Sequence, residues 1–355
     1  MTISPDSMAI SPERLGEALD HLITAPISNW TILKGIPLKE LYAVARAHAG
    51  GPLTLAASRR LLENVHAGDT VLFITGFVMR DYGRPETDGP IGAAVLARAL
   101  ALGLGAVPVA VTEAACAAAV GACFAAAGLI DAPLADLRKG RNRCAVVDFP
   151  IDPLKAEAAA ETILSSLQPR AIIAIERPGA GKDGHYHGGG GFEISSFTAK
   201  TDVLFAKAQA RAIPTIGIGD LGNELGMGVI AGEVARLVPL GDVIAARLAA
   251  DVAVIANISN WGAYGVAACL AALTGNAAAF HDGEEEIRLI EACVRAGAID
   301  PVGGQLRPYV DGTDARTNAA LVDLLRSVVG LSQREGRNIA DYQQSWGHGK
   351  DRTKP

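Results

Sequence analysis

The chain has 355 residues, 50% of them hydrophobic, 5% aromatic and 20% charged, with a net charge of -6. That length supports a large core, built as one α/β domain or as two lobes. The acidic balance and the absence of a long Lys/Arg run exclude the concentrated basic face that nucleic acid requires, and "RKGRNR" at Arg138–Arg143 reads as a solvated turn.

From the N-terminus, "SPERLGEALDHLIT" opens a helix with Ser11 as N-cap and Pro12 in the first turn. "LTLAASRRLLENV" is a second amphipathic stretch, so residues 1–66 are expected to form a helical N-terminal segment packed on the main domain. The first residues include acids and no apolar h-region, which predicts neither a signal nor a transit peptide. No run is long and apolar enough for a membrane span. The five cysteines form no CxxC and sit among alanines, as reduced core residues of a cytoplasmic protein do.

Strand–helix alternation then begins. "TVLFITGF" (70–77) is apolar throughout, as a strand buried on both faces must be. "PIGAAVLARALALG" is the next helix, "AVPVAVTE" the next strand and "AACAAAVGACFAAAG" the next helix. "CAVVDFP", "AEAAAETILSSL", "RAIIAIE", "VLFAKAQARA", "IPTIGIGD", "DVAVIANIS" and "YGVAACLAALTG" keep the same beat. The pattern predicts an α/β fold over 67–335. It is a mostly parallel, doubly wound sheet with helices on both faces and a helical N-terminal extension. A polar tail is expected at 336–355.

Ligands of such folds bind beyond the carboxyl ends of the strands. Those ends carry acids and amides: Asp81, Glu86 and Asp88 after the first strand, Glu113 after the next, then Glu176, Asp220 with Asn223 and Glu224, and Asn257, Ser259 and Asn260. One such acid caps a helix or faces solvent. Several on one rim repel one another unless a cation or an ammonium group sits among them. The rim therefore predicts a divalent metal, a substrate amine, or both, and oxygen ligands suit Mg²⁺ or Mn²⁺. Asp88, Asp220 and Glu224 are the candidate metal ligands.

"ERPGAGKDGHYHGGGG" (Glu176–Gly191) follows a buried strand with seven glycines. Such a loop lets backbone N–H groups approach a ligand. Arg177 is a candidate for holding a substrate carboxylate, and His185 and His187, two apart, are candidates for metal binding or proton movement. In "SNWGAYG", Trp261 and Tyr264 can wall a small pocket. "GIGDLG" fits the spacing of a dinucleotide loop, but Asp220 would place negative charge against the pyrophosphate, and "GAGKD" lacks the first Gly and the Ser/Thr of a P-loop. No nucleotide cofactor is expected.

Taken together, "ETDGP", "AIERPGAGKDGHYHGGGGFEIS", "GIGDLGNELGMG", "GDVIA" and "SNWGAYG" resemble the D-glutamate cyclase family, in order and spacing across residues 70–330. The resemblance implies a lyase that converts D-glutamate to 5-oxo-D-proline and water. The chain departs from the family pattern at Ala180, at Tyr186 and His187, at Leu221 and in the run Gly188–Gly191. The chemistry suggests roles for particular residues. Glu176 or Asp183 would move protons, and Asp220 and Glu224 would hold an ion or the substrate ammonium. Arg177, His185, Asn223, Asn260, Trp261 and Tyr264 would bind substrate. The partner implied is a small acidic amino acid, with neither nucleic acid nor membrane; a homo-oligomer is compatible. A metal-dependent hydrolase or phosphatase on the same acidic rim, and a non-catalytic small-ligand binder, are the alternatives.

Overall fold

The computed structural model describes residues 10–28 and 35–333, so the expected tail at 336–355 and parts of the N-terminal segment lie outside the described residues. Among the described residues three helices come first: α1 (Pro12–Ile23), α2 (Leu38–Ala49) and α3 (Leu53–Asn64). Ser11 caps α1 by accepting from Arg14 N, and Pro12 occupies the first turn, where its missing N–H costs nothing. The buried Asp20 carboxylate then ties the three together. It accepts from Leu53 N (2.6 Å) and Thr54 N (3.0 Å) at the start of α3 and from the Tyr42 hydroxyl (2.8 Å) on α2.

The alternating part follows the apolar runs. Its elements are β1 (Thr70–Thr75), a small hairpin of β2 (Val78–Met79) and β3 (Arg84–Pro85), α4 (Pro90–Leu104), β4 (Val107–Thr112), α5 (Ala114–Ala126), β5 (Ile130–Asp131), β6 (Arg143–Asp148), α6 (Pro153–Leu167), β7 (Ala171–Ile175), α7 (Thr201–Ala210) and β8 (Thr215–Gly219). Then come α8 (Ala231–Leu237), α9 (Gly241–Ile244), β9 (Val252–Ile255), α10 (Ser259–Leu273), α11 (Gly283–Arg295), a second hairpin of β10 (Tyr309–Val310) and β11 (Thr313–Asp314), and α12 (Ala315–Ser332).

Seven strands form one sheet in the order β5-β6-β4-β1-β7-β8-β9, and every pairing in it is parallel. Among the described residues, antiparallel strand pairing forms the two short hairpins, and isolated antiparallel bridges such as Pro178–Glu224 and His187–Glu193 tie the loops beyond the sheet. The chain winds out from β1 through β4 to β6, then returns to the other side of β1 and winds out through β7, β8 and β9. The direction reverses between β1 and β7, which makes their carboxyl ends the topological switch point of the sheet.

Period-two alternation sends the side chains of each strand into two cores. Val71 and Phe73 face the larger one, with α4, α5 and α10, where Phe73 and Phe124 meet edge to face at 6.2 Å. Leu72 and Ile74 face the other, with α6 and α7. The N-terminal helices share the larger core through Leu15, Leu19, Ile23, Leu41 and Leu61. Helices α4 and α10 cross closely because Gly92 has no side chain: a Cβ there would stand 2.8 Å from Asn260 Oδ1 and 3.0 Å from Ala263 Cβ.

All five cysteines are buried and free, as their surroundings suggested. Among the described residues, no helix is long and apolar enough to cross a membrane.

Candidate active site

Four segments deliver carboxyl groups to the switch point. After β1 the chain makes the β2–β3 hairpin and returns with Glu86 and Asp88. Glu176 follows β7 directly, Asp220 follows β8 directly, and Asp311 sits at the turn of the β10–β11 hairpin. All five are buried. Asp88, Glu176 and Asp220 each present one carboxylate oxygen, and these oxygens lie within 4.8 Å of one another.

Two of the five hold left-handed backbone conformations, Glu176 at φ 40° and Asp311 at φ 49°. For Asp311 the reason is local: Asp311–Gly312 is the two-residue turn of a hairpin whose strand twist requires φ > 0 at both positions. Glu176 has no such turn. Its strained backbone redirects the side chain at the strand end, the kind of cost that surrounding structure sustains at functional sites. Gly89 answers it across the gap: a Cβ at Gly89 would stand 2.9 Å from Glu176 Cβ.

Hydrogen bonds hold the cluster from behind. Ser259 Oγ donates to Glu176 Oε2 at 2.5 Å. Asp88 accepts from Ser259 N (2.9 Å), Asn260 N (2.7 Å) and Gly89 N (3.0 Å), so it caps α10. Asn260 returns the favour to α4: its Oδ1 accepts from Gly89 N (2.9 Å) and Gly92 N (2.7 Å), while its Nδ2 donates to Thr87 O (3.2 Å). The two helices therefore begin at one place and cap each other.

In front lies a cavity of about 230 Å³ with Glu86, Glu176, Asp220 and Asp311 on its floor and Phe77 and Asn223 on its wall. Its size suits a small metabolite rather than a nucleotide. Burial pushes the carboxyls of Glu86, Asp88, Glu176 and Asp220 well above the usual range, and the neighbouring carboxylates push them further. Asp311 is pushed up to about 7, first by burial, against a hydrogen bond with Asp220 that pulls it down. A floor of this kind holds protons at neutral pH or takes a cation.

The donor set fits a hard divalent ion. Asp88, Glu176 and Asp220 offer oxygen only, from three separate elements, and Glu86 Oε1 is buried with no hydrogen-bond partner.

The expected site residues divide sharply. Glu176 and Asp220 reach the cavity together, with Asn223 beside them, its Nδ2 donating to His187 O at 3.1 Å. Glu224 does not join the metal set. Its Oε1 accepts from Asp220 N and Leu221 N, both 2.9 Å, and its Oε2 from Gly222 N at 2.7 Å, so the carboxylate is spent on shaping the turn that carries Asp220. Left-handed backbone in that turn falls at Gly222 (φ 101°), which is why Leu221 is tolerated.

Arg177 does not line the cavity. It is fully buried, with Nη1 on Glu113 Oε2 (2.6 Å) and Gly76 O (2.9 Å), Nη2 on Ala199 O (2.7 Å) and Nε on Thr201 Oγ1 (3.1 Å). Every nitrogen is engaged, so Arg177 pins the loop to the sheet. Trp261 and Tyr264 are core residues instead of pocket walls, since Trp261 Nε1 donates to Asn318 and the Tyr264 hydroxyl to Glu286, both at 2.8 Å. Asn260 serves the two helix starts. Asp183 and His185 lie outside the cavity: Asp183 pairs with His187 at 2.9 Å and the exposed His185 with Glu193 at 2.9 Å.

Asp311 belongs to the cluster although strand-end reasoning does not reach it. Its sequence signal is the hairpin pair Asp-Gly between "PYV" and "TD".

Comparison with known proteins places the chain in a family. A relative, "D-glutamate cyclase, mitochondrial" of Homo sapiens, is 44% identical over 100 residues, 28% of this chain and 16% of the human one. The alignment thus spans about one sixth of that relative's length. Among solved structures, a crystal structure of mandelate oxidase with (S)-4-hydroxymandelic acid aligns over 94% of this chain and 97% of that one, at 14% identity and a TM-score of 0.23, too slight a likeness to bear on the fold. The profile of one family, "D-glutamate cyclase-like, C-terminal", matches residues 43–326 and so takes in the whole carboxyl cluster. The chain belongs to the D-glutamate cyclase-like family, through the C-terminal region that this profile describes.

Proposed function

We propose that the protein is a lyase that cyclises D-glutamate to 5-oxo-D-proline and water. The single observation that carries this reading is the buried carboxyl floor of Glu86, Glu176, Asp220 and Asp311 in a small cavity at the switch point. The family to which the chain belongs supports it.

The reaction needs protons moved between two points of one molecule. The α-ammonium gives up two protons, its nitrogen bonds to the γ-carboxyl carbon, and one oxygen of that carboxyl leaves carrying both protons as water. The site must therefore take protons from nitrogen and deliver them to oxygen. A group of carboxyls that cannot all ionise together can do both, because some members are bases while others are acids. In the ion-free site Glu176, fixed by Ser259, receives the ammonium protons in turn. Asp311, beside Asp220, delivers a proton to the leaving oxygen. Asp88, Glu176 and Asp220 would hold a divalent ion, which when bound supplies a Lewis acid for the γ-carboxylate. Enclosure folds the substrate with its amine near the γ-carboxyl carbon, which lowers the entropic part of the barrier.

The test is incubation of the purified protein with D- and L-glutamate, with and without EDTA, followed by NMR for 5-oxoproline. Lactam from the D isomer supports the reading, and no lactam from either isomer rejects it. The trio of Asp88, Glu176 and Asp220 also favours a metal-dependent hydrolase. Phosphate release from a simple ester, with no lactam, would select that alternative.

A further inference from the structure

The cavity floor is acidic, yet the proposed substrate carries two carboxylates. The γ-carboxylate is the reacting group and belongs near the floor, where protons or an ion can meet it. The α-carboxylate changes no bond, and it requires donors elsewhere. Arg177 cannot supply them. The cationic side chain that lines the cavity is Arg80, just after β2.

Arg80 is held in an unusual way. Its guanidinium carbon lies 4.2 Å from the centre of the Phe192 ring, and its Nε donates to Asp81 Oδ1 at 2.8 Å. Its two terminal nitrogens donate to no group among the described residues, and the side chain is about half exposed at the mouth. The glycine run accounts for the ring beneath it. A Cβ at Gly188 would stand 2.7 Å from Phe192 Cε2, and one at Gly190 would stand 2.8 Å from Cε1. The loop wraps the ring edge so closely that side chains are excluded. Gly189 and Gly190 also line the cavity, and their N–H groups donate no hydrogen bond among the described residues. A guanidinium and backbone N–H groups that line one cavity without partners offer the donors an anion needs.

We propose that Arg80, seated on Phe192, binds the substrate's α-carboxylate and makes the site selective for α-amino dicarboxylic acids. Phe192 is a positioning residue that acts through Arg80. The proposal rests on the cyclase reading for the identity of the substrate, and on the geometry of the mouth for the anion site.

The test compares D-glutamate with its α-amide, D-isoglutamine, in the full chain. Wild-type protein should favour D-glutamate in kcat/KM by roughly tenfold to hundredfold, the value of one charge-assisted contact. Arg80→Gln should raise KM for D-glutamate by a similar factor, with kcat falling less than about threefold, and the preference between the two substrates should collapse. Arg80→Lys should recover part of it, and Phe192→Leu should raise KM by about twofold to fivefold. An Arg80→Gln variant that keeps the wild-type preference overturns the proposal while leaving the cyclase reading intact. If wild type forms no lactam at all, the cyclase reading fails. Calorimetric binding of glutarate then decides the anion site by itself: loss of binding in Arg80→Gln supports it, and equal or absent binding in both proteins overturns it.

Discussion

Ser259, the first residue of α10, donates its hydroxyl to Glu176, the residue that ends β7, at 2.5 Å. Two strand ends far apart in sequence are joined at a carboxyl whose residue holds left-handed backbone outside any hairpin turn. The bond orients the Glu176 carboxyl within the cluster. Ser259→Ala should lower kcat for cyclisation on the order of tenfold with KM nearly unchanged, because orientation is lost and binding is not. Steady-state lactam formation checks it, and an unchanged kcat would show that Glu176 needs no such support.

Glu176→Gln and Asp220→Asn keep shape while removing the base and a cation ligand. Each should reduce turnover by roughly 10²–10⁴ with the fold retained. Full turnover in both variants would remove the carboxyl cluster from the mechanism.

Arg177 and Glu113 form an ion pair in which both side chains are buried. Breaking it strands a charge, so Arg177→Met should destabilise the protein by roughly 3–5 kcal/mol. The double variant Arg177→Met/Glu113→Leu should recover part of that. Urea unfolding measures both. A stable Arg177→Met variant with only a raised KM would return Arg177 to a substrate role.

Asn260→Ala removes three buried hydrogen bonds that fix the starts of α4 and the Thr87 segment. The expected cost is about 2–4 kcal/mol by urea unfolding. A loss of activity without that cost would mean that Asn260 touches substrate after all.

Acid should stabilise the ion-free protein relative to alkali. The raised carboxyls of the floor bind more protons in the folded state than in the unfolded chain. Their stabilising contribution is complete below the unfolded value near 4 and is lost as pH rises through the folded values, about 7 for Asp311. The Tm should therefore fall between about pH 5.5 and about pH 8, and Mn²⁺ should restore several degrees at the higher pH and little at the lower. A flat profile with no metal effect would contradict the crowded floor.

Much of this protein can be read in one dimension. The continuous apolar runs such as "TVLFIT" and "AIIAI" became the central strands, because a strand buried on both faces admits no polar break. The placement of Glu176 and Asp220 followed from chain order alone, since a parallel sheet brings successive strand ends to one rim. Beyond the strand ends, residue type and spacing do not say which way a side chain turns. Arg177 follows Glu176 directly, yet one lines the cavity and the other is sealed beneath it, because the strained φ at Glu176 redirects the chain. Glu224, Asn260, Trp261 and Tyr264 found partners inside the protein that no local pattern names. Asp311 and Arg80 reached the cavity from hairpins whose docking only long-range packing decides. Local sequence determined the strands and the rim, through burial and backbone alternation. Tertiary contacts decided which polar groups on that rim stay free, because a buried hydrogen-bonding group takes whichever partner the completed fold brings within reach.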